Sequence, residues 1–136
     1  NNSKSGNTIK ASIKKNQRNR ESHTSKGSQI FRPAPTTRSL VFKMRRWFYA
    51  RARQLSRELG DEFDFNTSAE IWRSIARQIV DFNQKNNLGD LVARGELDWK
   101  IDEWEGKRIL VVTKVKIEYY QKAREEEFNI ELEEEE

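Results

Sequence analysis

From Thr37 to Asn87 the apolar residues of this chain recur every three to four positions; from Glu96 onward they recur every second one. A repeat of 3.6 puts side chains on one stripe of a helix, and a repeat of 2 puts them on one face of a strand. The chain is therefore expected to be α+β: two amphipathic helices packed against a β-hairpin. No internal repeat is present, and 136 residues make one domain's worth of chain.

The first helix is expected from Thr37 to Leu59, with Thr36, Thr37 or Ser39 as its cap and Gly60 as its stop. Leu40, Val41, Met44, Phe48, Ala52, Leu55 and Leu59 fall within one arc of about 120° and form the inward face. Lys43, Arg46, Arg53 and Arg57 gather on the opposite side, with Trp47 and Tyr49 on the flanks. Arg45 sits off this line and Arg51 at the edge of the apolar arc. The line runs for about 20 Å at the helical rise of about 1.5 Å per residue. Within KMRRWFYARARQLSREL, residues 43–59, six cations face a single acid, Glu58. A helix built only for solubility would mix both signs at i,i+4 spacing.

The acidic segment DEFDF, 61–65, precedes a second helix that Thr67-Ser68-Ala69-Glu70 is expected to open as a capping box. Ile71, Ile75, Ile79 and Phe82, with Trp72 beside them, share its inward face; Arg73 and Arg77 point away. The helix is expected to fray near Asn87, with a short helical turn over Asp90–Arg94 closed by Gly95. In the hairpin, a two-residue loop would set Ile101 opposite Leu110 and Leu97 opposite Lys114. A three-residue loop, Glu105-Gly106-Lys107, instead pairs Ile101 with Val111, Trp99 with Thr113 and Leu97 with Val115. It also sets Asp98 against Lys114 and Glu96 against Lys116, so the second register is the expected one. Two strands alone are marginal, so the hairpin needs the helices or a partner's strand.

Three segments are expected: a disordered basic arm with a Pro-containing connector over 1–35, one small α+β domain over 36–122 and an acidic tail over 123–136. The arm, rich in Asn, Ser, Lys and Arg, cannot bury enough apolar surface to offset chain entropy. IFRPAPTT reads as an extended connector, because each Pro disfavours the α region in the residue before it. Residues 1–60 hold 15 Lys/Arg against two acids, and residues 61–136 hold 11 against 20. Such asymmetry speaks of partners, nucleic acid first and an acidic protein second.

The lack of cysteine removes disulfides, Cys-based zinc sites and thiol nucleophiles. The single histidine, His23, leaves no histidine pair and no triad. No apolar run reaches a membrane-spanning length of about 18 residues, and no signal-peptide core appears. Asp61, Glu62 and Asp64 could suggest a metal cluster, but acids are favoured ahead of a helix N-terminus. Glu105-x-Lys107, with Asp90 or Asp98 upstream, has the outline of an Mg²⁺ nuclease, though a turn accounts for the same residues. Neither a metal nor a cofactor is expected, and no catalytic residue is assigned. The expected nucleic-acid-binding residues are Lys43, Arg46, Arg53 and Arg57, with Arg45, Tyr49, Arg73 and Arg77 beside them. The arm would contribute Lys14, Lys15, Arg18 and Arg20. Arg grips phosphate in a planar fork, and tyrosine can stack on an unpaired base.

Gly106-Lys107-Arg108-Ile109 and Glu118-x-Tyr120, within GKRILVVTKVKIEYYQKAREEE, are similar to the end of some small subunits of CRISPR surveillance complexes. That resemblance implies contact with nucleic-acid backbone and a helix over 107–122, where the period reads strand. Ribosome-associated proteins are an equally open comparison. The expectation is a non-catalytic nucleic-acid-binding protein with little sequence specificity, RNA being slightly favoured over DNA. It would act inside the cell, in cytoplasm, nucleoid, nucleus or organelle, as a subunit of a larger nucleoprotein complex with other protein subunits. The rival is an adaptor whose basic helix docks an acidic protein.

Overall fold

The computed structural model describes residues 9–11, 25–122, 124–129 and 131–132; all statements of absence below concern these residues. The element order is β1 (Lys26–Ala34), α1 (Thr37–Leu59), a 3₁₀ turn (Gly60–Glu62), α2 (Phe65–Lys85), β2 (Val92–Trp104) and β3 (Lys107–Tyr120). The strands form one antiparallel sheet in the order β1-β2-β3. The fold is thus α+β, with two helices and three strands where the sequence led us to expect two.

The additional strand falls on the segment read as the end of the arm and the connector. Phe31 and Ala34 are buried, whereas Ile30 is 60% exposed. Gly27 and Gln29 share the inward side with Phe31, opposite Trp99, Leu97 and Gly95 of β2. A Cβ on Gly27 would lie 2.9 Å from the Trp99 ring, so the neighbouring strand fills the space that Gly27 leaves.

Helix α1 keeps its expected limits. Thr36 caps it: Ser39 N donates to Thr36 Oγ1 over 3.0 Å, and Thr36 N donates to Ser39 Oγ over 3.3 Å. Gly60 closes it with φ 59°. Leu40, Val41, Met44, Phe48, Ala52 and Leu55 are buried, and Leu59 is half-buried against the core.

Helix α2 starts earlier than expected. Asp64, not the Thr67 box, is its cap: Asp64 Oδ1 accepts from Thr67 N at 3.0 Å, and Asp64 Oδ2 accepts from Thr67 Oγ1 at 2.7 Å. The carboxylate takes the two donors of Thr67 on separate oxygens, satisfying one of the free N–H groups at the helix start. Ile71, Trp72, Ile75 and Ile79 are buried as expected, and Trp72 stacks on Phe48 with ring centroids 5.3 Å apart. Phe82 is exposed instead; the buried position at this end belongs to Asn83, whose Oδ1 accepts from the Tyr119 hydroxyl at 2.6 Å.

The expected helical turn over 90–94 is also replaced, because Val92–Arg94 already belong to β2 and Gly95 lies inside the strand. There a Cβ would come within 2.5 Å of Met44 Cε and 3.1 Å of Leu40 Cδ2. Glycine at 95 therefore lets β2 approach α1 closely. The hairpin combines the two registers considered. A two-residue turn, Glu105-Gly106, pairs Trp104 with Lys107 and Ile101 with Leu110. A bulge then leaves Thr113 as the extra residue, and Asp98↔Lys114, Leu97↔Val115 and Glu96↔Lys116 follow. Lys107 is thus a strand residue and not part of the loop. A strand over Lys107–Tyr120 replaces the helix that the resemblance implied.

Candidate nucleic-acid interface

The candidate interface lies on α1, whose rotation the core fixes. Phe48 stacks on Trp72, Tyr49 leans on Phe65 at 6.2 Å, and Leu40 and Met44 close over Gly95. With that side committed, the opposite side must face water. Arg46, Arg53 and Arg57 are exposed there and Lys43 is half-exposed. None of these four has a carboxylate within ion-pairing distance among the described residues. The other cations near the helix are engaged: Arg38 pairs with Asp90, and Arg51 lies over the Trp99 ring at 5.4 Å.

Arg45 has a distinct arrangement. Its guanidinium lies 5.7 Å from the ring centroids of both Phe42 and Tyr49, residues one turn before and after it on the helix. A shallow, open depression of about 970 Å³ runs over this surface, lined among others by Lys43, Arg45, Arg46, Tyr49, Ala50 and Arg53. Lys43, Arg46 and Arg53 are thus brought onto one surface together with Arg45 and Tyr49, while Arg57 continues along the helix. Arg73 and Arg77 are exposed on α2 and line none of the depressions described here. The arm residues Lys14, Lys15, Arg18 and Arg20 lie outside the described residues.

Trp47 behaves as a core-edge residue, half-buried with its ring 6.4 Å from that of Trp99. Phe42, which sequence reasoning passed over, is 52% exposed beside the basic line. The signal was legible: at about 100° per residue, position 42 falls next to 46 and 53 and away from the inward arc.

The carboxylates considered for metal chemistry are dispersed. Asp64 is a cap, Asp90 pairs with Arg38, Asp98 accepts from Ser28 Oγ at 2.6 Å, and Glu105 sits in the hairpin turn. Among the described residues no three His, Cys, Asp or Glu side chains converge as a metal site would require. No helix among them is long and apolar enough to cross a membrane. On β3, Glu118 is held below the usual carboxylate range, chiefly by the Tyr120 hydroxyl and then by Arg94. The same hydrogen bond raises Tyr120. No protein-family model, curated protein or solved structure matches this chain.

Proposed function

We propose that this protein binds nucleic acid through its phosphate backbone, without catalysis and with little sequence specificity, as a small subunit of a larger nucleoprotein complex. The observation that carries this reading is the line Lys43, Arg46, Arg53 and Arg57: four cations on one face of α1 with no acidic partner among the described residues. Unpaired cations in a row attract a linear polyanion, and each phosphate neutralised releases counterions. Arg45 and Tyr49 border the line, and Arg73 and Arg77 add positive charge on the neighbouring helix. The basic arm supplies further sequence-independent attraction.

A salt titration of oligonucleotide binding tests the reading. Each phosphate contact contributes about −0.7 to −0.9 to the log–log slope, so four contacts give about −3. Arg46→Ala combined with Arg53→Ala should make the slope shallower by nearly half. A slope near zero, or an unchanged slope in the double variant, contradicts it.

A second reading, an adaptor that docks an acidic protein through its basic helix and adds a strand of it to the sheet, draws on the sheet edge. Ile30, Val92 and Tyr120 are exposed apolar groups on its strands, and β1 has one edge unpaired. Both suit strand addition by a partner. This reading predicts a defined protein partner and an absorbance ratio of purified material free of nucleic acid.

A further inference from the structure

We propose that the nucleic acid held along α1 is single-stranded, and that it turns its bases toward the crevice between α1 and α2, where one stacks on Phe42. This inference rests on the phosphate-binding reading above and specifies the ligand of that same surface.

The two flanks of the basic line differ. On the sheet side, Trp47 packs against Trp99 and Arg51 covers the Trp99 ring, so the aromatic faces there are already taken. On the α2 side a crevice of about 580 Å³ opens between the helices, a volume within the ordinary range of small-ligand sites. Val41, Phe42, Ala76 and Val80 provide its apolar walls, and Arg45 and Gln84 supply polar groups. Phe42 stands at this border, more than half exposed. Arg45 lies over this ring at 5.7 Å from its centroid, yet 52% of the residue still faces water beside the basic line, and the inward face of α1 is complete without it.

Arg45 joins the two regions. It lines both the depression over the basic line and the crevice, and its guanidinium already lies between Phe42 and Tyr49. A strand whose phosphates follow Lys43, Arg46 and Arg53 therefore has aromatic and guanidinium faces on one side only. Stacking on such faces is how single strands are held without sequence readout. A duplex keeps its bases paired and stacked on each other, so it can use the cations but not the Phe42 ring.

The test compares fluorescence anisotropy of the full chain with a pyrimidine-rich single-stranded oligonucleotide and with a duplex of equal length. Phe42→Ala should weaken single-strand binding roughly tenfold while leaving its salt slope and the duplex affinity unchanged. Phe42→Trp should restore it. Because Phe42 is exposed, the melting temperature of both variants should match the wild type, which separates lost stacking from misfolding. Unchanged single-strand affinity in Phe42→Ala overturns the inference, as does an equal loss on both ligands. Those results leave the phosphate reading standing if Arg46→Ala still makes the slope shallower. A wild-type protein that binds neither oligonucleotide overturns both, and capture of a protein segment in the crevice would then be the alternative.

Discussion

Glu105 holds φ at 51° and Gly106 at 80°, the paired positive values of a tight hairpin turn. A glutamate tolerates this left-handed conformation poorly, whereas asparagine adopts it readily. Glu105→Asn is expected to stabilise the protein by about 0.5–1 kcal/mol, read as a rise in the denaturant midpoint at constant m-value. Tyr119 and Asn83 make a second local case. Tyr119→Phe leaves the side-chain oxygen of Asn83, itself 4% exposed, without its donor, at a cost of about 1–3 kcal/mol. Burial raises the Tyr119 hydroxyl above the ordinary tyrosine value of 10.0. The folded state then keeps a proton that the unfolded chain gives up near pH 10. This contribution is complete below that pH and is lost as pH climbs through the raised value. Melting temperatures measured from pH 8 to 11 should fall less steeply at the alkaline end in Tyr119→Phe.

The close approach of β2 to α1 puts an element-scale limit on Gly95. Gly95→Val forces Met44 and Leu40 out of place and is expected to cost about 1–3 kcal/mol through overpacking, visible as a lowered melting temperature. Both helices were legible because Leu40 through Leu55 and Ile71 through Ile79 repeat without interruption at helical spacing. The rotation of α1, and with it the basic line, followed from that repeat alone. Strand β1 was not legible, because its inward positions are Gly27, Gln29 and Phe31 while its aliphatic residue, Ile30, faces out. The period is intact but its hydrophobic content is supplied from across the sheet by Trp99. The α2 cap differs from the expected one because Thr67 takes part as a donor to Asp64 rather than as the acceptor. Phe82 departs from its expected inward place because spacing reports direction around a helix and says nothing about whether a partner lies there. In the site, the cations could be read from spacing, but the aromatic pair around Arg45 depends on side-chain placement.

Across the whole molecule, opposite charges are sorted by position in the chain, and on the nucleic-acid reading proposed above the acidic closing run would oppose the attraction of the basic surface for a polyanion. Lys122–Glu125 and Arg124–Glu126 pairs use a little of that run locally; exposed pairs of this kind contribute little to stability. Truncation after Lys122 is therefore expected to leave the melting temperature within a few degrees of the full chain. It should raise the association rate with oligonucleotides at low salt several-fold, as steering predicts. The difference should fade as salt rises above about 0.1 M, where the screening length is about 10 Å. Stopped-flow mixing at two ionic strengths checks this, and an equal rate at low salt would show that the tail does not act on the basic surface.

The bulge in the hairpin has a consequence for which residues the gene could lose. Every cross-strand pair on either side of it is correct without Thr113, because Val112 faces Trp99 and Lys114 faces Asp98. Deleting Thr113 would join these into one unbroken ladder, changing the local twist and removing the Thr113 Oγ1 bond to the Asp98 carbonyl but no backbone pair. Deleting Ile117 would instead turn Tyr119 to the opposite face and break its bond to Asn83. In this strand the reading frame of the sheet is therefore fixed everywhere except at one position, where a codon can disappear and the two faces stay as they are.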